Sequence, residues 1–191
     1  MKPKKFPTKI LTKRLILKPV EPSFEFAQMM FDECKNNRDY YKFLDKMATV
    51  KKPEEQYEYA VRAKERFISG TRADYVMWTR KTKELVGVIC FLDVSFADEH
   101  GEFGAWVAKK FAKQGFASEA LQALEKVCFE MGFHKLKVCA DIENKASLAT
   151  IKKLGFTKDG INRDSSWSKY LNSWRTRVEF SKLASEYKQK K

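Results

Sequence analysis

The chain has 191 residues, of which 43% are hydrophobic, enough to bury one substantial core and nothing that calls for a second. Its 38 lysines and arginines against 25 aspartates and glutamates give a formal charge of +13, which disfavours polycationic ligands such as polyamines and suits acidic proteins, RNA or ribosomes, although a solvated basic surface accounts for the charge equally well. No apolar run reaches 18 residues and no secretory leader pattern is present, so a cytoplasmic protein without a membrane span is expected.

Residues 1–11 read as a basic flexible tail, within a stretch (1–18) that holds seven basic and no acidic side chains. RLILKPV then forms a first strand, and Ser23 is placed to cap a helix whose Phe24, Ala27, Phe31 and Cys34 share a face. After the aromatic segment DYYKFLDKM, Pro53 opens a longer helix with Tyr57, Ala60, Val61, Lys64, Phe67 and Ile68 on one stripe and Gly70 at its end. ADYVMWTR and ELVGVICFLDV read as antiparallel strands joined at residues 81–83, and GEFGAWV as the next strand.

The stretch AWVAKKFAKQGFAS (105–118), followed by EALQALEKVCFEMG, reads as a strand end, a short basic turn with one glycine, and an amphipathic helix. A helix's first turn leaves about four backbone N–H groups without partners and carries the positive end of the macrodipole, so an anion fits there without a charged side chain. Gly115 lets the backbone approach a ligand, Ala117 and Ser118 keep the entrance uncrowded, and Lys109, Lys110 and Lys113 add charge. Phosphate binding and a solvated lysine-rich turn both fit these residues. Ala117, Ala120, Leu121, Leu124, Val127, Cys128 and Met131 form the core stripe of the helix, which Gly132 stops. HKLKVCADI (134–142) alternates like a strand, so residues 102–142 predict a right-handed βαβ unit. In DIENKASLATIKKLGF, Asn144 stands at an N-cap, Ser147 three residues on, and Gly155 with Phe156 at a C-terminal stop. Cys128 and Cys139 sit on apolar faces as free buried thiols. With no CxxC spacing among four cysteines and two isolated histidines, no metal site is expected.

QGFASEAL, with GEFGAWV before it and ENKASLATIKKLGF after it, resembles the acetyl-coenzyme A signature of the GNAT N-acetyltransferases. TKRLILKPVEPS resembles the first strand of their RimJ/RimL-like branch, whose members acetylate protein N-termini and some small amines. The resemblance runs from about residue 12 to 183, and Ala112 and Lys113 stand where the family usually carries Gln or Arg and often a second glycine. It implies an α/β (α+β) GNAT fold: a mixed central sheet of about seven strands flanked by helices around a βαβ acetyl-CoA-binding core. The single domain then spans 12–183, with a basic tail over 184–191.

By the same resemblance, Trp106, Val107 and Ala108 would pair their backbone with the pantetheine amides. Lys113, Gln114, Gly115, Phe116, Ala117 and Ser118 would cradle the phosphates, and Asn144 would touch the pantetheine arm as well as cap its helix. Glu102 is the candidate base, with Asp164 or a water as alternatives, and Ser147 the candidate proton donor or positioning group. Tyr40, Tyr41, Phe43, Tyr57 and Tyr59 would line the acceptor cleft or belong to the core. INRDSSWSKYLNSWRTRVEFSKL resembles the family's closing hairpin, turning near residues 170–172, where Arg175 and Arg177 favour an acidic acceptor if they face the cleft. The expected activity is acetyl transfer from acetyl-CoA, without a metal, to a primary amine by direct attack, most of all the N-terminal α-amine of a protein. A small-molecule amine such as an amino sugar or antibiotic stays open, as does a weakly catalytic module docking RNA or ribosomes. Monomer and homodimer are equally open.

Overall fold

A computed structural model describes residues 5–187. Its centre is an eight-stranded sheet in the order β1-β2-β3-β4-β5-β6-β8-β7. The strands are β1 (Ile10–Leu11), β2 (Leu15–Pro19), β3 (Ala73–Thr79), β4 (Leu85–Ser95), β5 (His100–Val107), β6 (Lys135–Asp141), β7 (Thr157–Ser168) and β8 (Ser173–Leu183). Every pairing is antiparallel except β5 with β6. That one parallel pair needs a crossover, which α4 (Phe116–Glu130) supplies.

Two apolar clusters cover the two faces. Tyr75, Ile89, Phe91, Phe103, Leu136 and Val138 pack against Ala120, Leu121, Leu124 and Cys128 of α4 and against Ile151 of α5 (Lys145–Lys153). The opposite face packs Val76 and Val88 against α1 (Phe24–Asn36), α2 (Asp45–Ala48) and α3 (Pro53–Ser69). The alternation that feeds both cores slips once: at the bulge beside Met77, Gly87 takes φ 151° and lies under the Trp106 carbonyl, where a Cβ would come within 2.1 Å of the oxygen.

Several expected faces and boundaries move. The α1 core stripe is Phe26, Ala27, Met30 and Cys34; Phe24 is exposed and stacks on Tyr57 at 4.5 Å. In α3 the buried positions are Gln56, Ala60 and Ala63, one turn-face away from Ile68, which faces water. The tail drawn over residues 1–11 ends too late. Phe6, only 4% exposed, packs among Phe67, Phe91 and Phe133, and Ile10 pairs with Leu17, so burial of one aromatic ring worth about 2–3 kcal/mol anchors that segment. At the other end Tyr187 stacks on Phe129, so residues 184–187 also belong to the folded unit. The rest of both predicted tails, 1–4 and 188–191, lies outside the described residues.

Candidate active site

The parallel pairing of β5 and β6 is short. Residues 100–103 pair with 135–138 and then the strands part. β4 keeps hold of β5 as far as Val107, and β8 keeps hold of β6 as far as Asp141. A wedge therefore opens inside the sheet, one wall of which is the edge of residues 104–107 without a strand partner on the β6 side.

The wedge leads to the turn before α4. A single 3-10 turn (Lys109–Phe111) follows β5, Lys113 takes φ 60°, and Gly115, at φ 79°, is the N-cap of α4. A Cβ on Gly115 would meet only Arg14 Nη2, at 3.6 Å, so the backbone angle and not crowding demands glycine. The first-turn N–H groups of α4 receive no side-chain cap. Arg14 braces this turn: its Nη1 donates to the Gln114 carbonyl at 2.9 Å and its Nε to Glu119 at 2.6 Å, and the guanidinium lies 4.2 Å over the Phe116 ring. Burial opposes the Glu119 charge, but donors from Thr12 and from the Arg14 backbone and side chain outweigh it and hold the carboxyl below its usual range. The one acid in the first turn is thereby neutralised. Lys110 is paired with Glu84 at 2.7 Å, whereas among the described residues Lys109 and Lys113 form no ion pair.

Glu33 ties the end of β5 to α1. One carboxylate oxygen accepts from the Tyr41 hydroxyl at 2.7 Å, the Lys109 N–H at 2.9 Å and the Asn37 amide at 3.2 Å. Burial, then the bond to Glu33, pushes the Tyr41 phenol far up, so it stays a donor. Behind Glu33 a cleft of about 510 Å³ runs between Met29, Trp78 and Ala108.

On the same face of the sheet, at the foot of the wedge, lies a cavity of about 270 Å³ lined by Glu102, Lys137, Cys139, Asn162, Arg177 and Glu179 among others. Burial first, then Glu102, pushes the Cys139 thiol up to about 11, and it donates to Glu102 Oε1 at 3.1 Å. The tip of the β7–β8 hairpin is clasped over α2, since Asp45 accepts from the Ser168 hydroxyl at 2.6 Å and from the Lys169 and Tyr170 N–H groups, each at 3.1 Å.

This wedge, turn and helix have counterparts in known proteins. The family model of the acetyltransferase (GNAT) domain matches residues 14–157. The chain belongs to the GNAT acetyltransferase family. A Bacillus subtilis (strain 168) protein named provisionally as a ribosomal N-acetyltransferase, YdaF, is 30% identical over 81 residues, 42% of this chain and 44% of that one. The chain thus matches about half the length of such curated relatives. RimL, a ribosomal L7/L12 alpha-N-protein acetyltransferase solved with coenzyme A, superposes with a TM-score of 0.83 at 18% identity, covering 94% of this chain and 99% of its own. The microcin C7 self-immunity acetyltransferase MccE, solved with acetyl-CoA and AMP, gives 0.82 at 19% identity over 93% and 97%. At these identities the two structures speak for the GNAT fold alone.

Within the GNAT frame, the structure brings the residues singled out by sequence to two places. Trp106 and Val107 form the end of the open strand edge, whereas Ala108 lies just past it and donates its N–H to the Val86 carbonyl at 2.7 Å, and Lys113, Gln114, Gly115, Phe116, Ala117 and Ser118 form the turn and first helical residues beside it. Phe116 is itself mostly buried against the core. Asn144 caps α5, accepting the Ser147 N–H at 3.1 Å, and among the described residues the half-buried Ser147 hydroxyl forms no hydrogen bond. Asp164 sits at φ 48° in a β7 bulge, and its neighbour Ser165, not Asp164, lines the Glu102 cavity. Cys139 faces that polar cavity, not an apolar core, because odd positions of β6 point away from α4. Of the five aromatic residues expected at a cleft, Tyr41 bonds Glu33, the exposed Tyr40 packs edge-on against Tyr41 at 4.8 Å and Phe43 lies 5.3 Å from Arg175, whereas Tyr57 stacks on Phe24 and Tyr59 bonds Asp74 on α3's side. Both arginines of the last strand lie on the cavity face, but Arg175 is neutralised by Asp141 at 2.6 Å and Glu143 at 3.4 Å. Sequence reasoning missed Arg14, Glu119 and Glu33, whose partners lie 105 and 76 residues away. Among the described residues no group of three or more His, Cys, Asp or Glu could hold a metal ion.

Proposed function

We propose that this GNAT protein moves the acetyl group of acetyl-coenzyme A to a primary amine, and that the acceptor is the N-terminal α-amine of a protein. The observation that carries the reading is the wedge between β5 and β6 that ends at the left-handed Gly115 turn and the uncapped start of α4. The residues present fit the co-substrate: an unpaired strand edge offers amide groups to the pantetheine, and the turn offers N–H groups and two unpaired lysines to the phosphates. YdaF, the relative named provisionally as a ribosomal N-acetyltransferase, supports a protein acceptor.

Bound acetyl-CoA supplies a thioester, at which a neutral amine displaces coenzyme A thiolate and the amine proton leaves. Glu102 then serves as proton acceptor, directly or through a water in its cavity, and the Cys139 thiol holds its carboxylate in place. A backbone N–H of residues 104–107 would steady the oxyanion. The Ser147 hydroxyl stands at the start of α5 as the group to meet the thiolate; its part is to position more than to ionise. The test is coenzyme A thiol release together with the mass of each product, with peptides beginning in Ser or Ala set against a panel of amino sugars. Peptide acetylation at the α-amine supports the reading. Acetylation of amino sugars with no peptide modified would replace it, and no thiol release with any amine would refute acetyl transfer.

A further inference from the structure

We propose that the cavity at the foot of the wedge reads an acidic side chain directly after the acceptor amine, so that the preferred acceptor is a protein N-terminus with Asp or Glu at its second position; this rests on the acetyl-transfer reading above. The walls of the cavity carry five charges: Glu102, Asp159 and Glu179 against Lys137 and Arg177. Asp159 is spent, since Lys135 pairs with it at 3.0 Å and the Ser181 hydroxyl donates to it at 2.9 Å. Two carboxylates and two cations remain. Among the described residues none of these four lies within 4.0 Å of an opposite charge, although they share a space of about 270 Å³. Arg177 shows the contrast most directly. Two residues earlier on the same face, Arg175 is held by two carboxylates and by the Phe43 ring, whereas Arg177 donates to the neutral Cys139 sulfur at 3.7 Å and, among the described residues, forms no ion pair.

Unpaired charges of both signs facing one small cavity complement a ligand that carries both signs itself. The position decides which sign goes where. Cys139 is the first β6 residue beyond the last β5–β6 pair, Val138 with Phe103, so the thiol-anchored Glu102 stands at the start of the wedge, where the reacting amine arrives. Arg177 approaches from β8, on the far side of β6, and Lys137 lies below it. An ammonium at Glu102 therefore places the next side chain of a peptide toward Arg177, whose planar fork suits a carboxylate. The second residue, not a remote one, is what this small cavity can reach.

The net charge of the chain favours acidic peptides in any case, so the test compares position as well as charge. Three peptides of equal length are used: Ser-Asp at the start, Ser-Asn at the start, and Ser-Asn with the aspartate moved to the sixth residue. Wild-type protein is expected to acetylate the first with kcat/KM about tenfold above both others, the size of a hydrogen-bonded charge contact. Arg177→Glu should remove the Ser-Asp advantage and acetylate a fourth peptide, beginning Ser-Lys, faster than Ser-Asp, with folding checked by thermal unfolding. Equal rates for the three peptides, or equal gains from an aspartate at the second and the sixth place, overturn the proposal. If no peptide is acetylated at all, the protein-acceptor reading fails, and calorimetric binding of the same peptides to the coenzyme A complex decides separately. Tighter binding of Ser-Asp that Arg177→Glu abolishes upholds the charge reading; equal or absent binding sinks it.

Discussion

Lys182 and Glu125 form an ion pair that is only 8% and 4% exposed, and Lys182 also donates to the Leu154 carbonyl at 2.6 Å and lies 4.7 Å over the Phe156 ring. The pair joins α4, the end of α5 and β8, the elements that flank the wedge. Glu125→Ala would strand a buried ammonium with one carbonyl acceptor, and truncating one partner of such a pair costs about 3–5 kcal/mol. Out of a total stability of roughly 5–15 kcal/mol, that is a large share, and it corresponds to a fall in Tm of about 10 °C for a chain of this size. The double substitution Glu125→Leu with Lys182→Met removes both charges and keeps the volume, so its cost should be near zero, about 1 kcal/mol or less. Urea unfolding of the wild type, Glu125→Leu, Lys182→Met and the double variant measures the coupling. Single and double variants with the same loss, or single variants costing under about 1 kcal/mol, would refute the view that desolvated charge and not packing governs this site.

Gly87→Ala must push β4 from β5, because the new methyl would sit 2.1 Å from the Trp106 carbonyl oxygen and 2.9 Å from Val107 Cα. An affinity loss for acetyl-CoA of roughly tenfold or more, beside a clear loss of stability, is expected by calorimetry and thermal melts, and unchanged values would contradict the close approach. Glu33→Ala leaves the Lys109 N–H and the Tyr41 hydroxyl without their acceptor and should lower both acetyl-CoA affinity and kcat/KM about tenfold, with Glu33→Gln restoring most of it. An Ala variant with normal affinity would show that Glu33 does not set the turn. For Glu119, whose folded-state value is depressed below its ordinary 4.5, the sign runs one way: its stabilisation is full above that value and is lost as pH falls through the folded one. Melting temperature should therefore be flat from neutral pH to about pH 5 and drop below it, less steeply in Glu119→Gln. Equal slopes in the two proteins would count against the Arg14–Glu119 brace.

What the sequence disclosed and what it hid divide along chain distance. The α4 stripe, the Gly115 turn, the Asn144 cap and the Gly155 stop rest on residues within a turn or two of one another, and each is present. The core face of α1 was misplaced because Phe24 and Phe26 are equally apolar, and only burial in the cluster that α1 shares with Ala60 and Ala63 of α3 and with the sheet selects Phe26. Phe6 looked like part of a basic tail since its four aromatic neighbours come from α3, β4, the turn after it and the loop before β6. The brace from Arg14 to the Gly115 turn and the thiol that anchors Glu102 are meetings across 105 and 37 residues, for which no local pattern exists.

The most direct test of the account is calorimetric titration of acetyl-CoA into the wild-type protein and into Gly115→Val, at low and moderate salt. A β-branched residue cannot hold φ near 79° without strain of about 1–3 kcal/mol, while the space around Gly115 leaves the rest of the fold undisturbed. The account predicts micromolar binding by the wild type, about 8 kcal/mol, that persists at moderate salt, and binding weakened at least tenfold in the variant with its fold intact. Absent binding, or equal binding by both proteins, would contradict the assignment of the turn as the phosphate site.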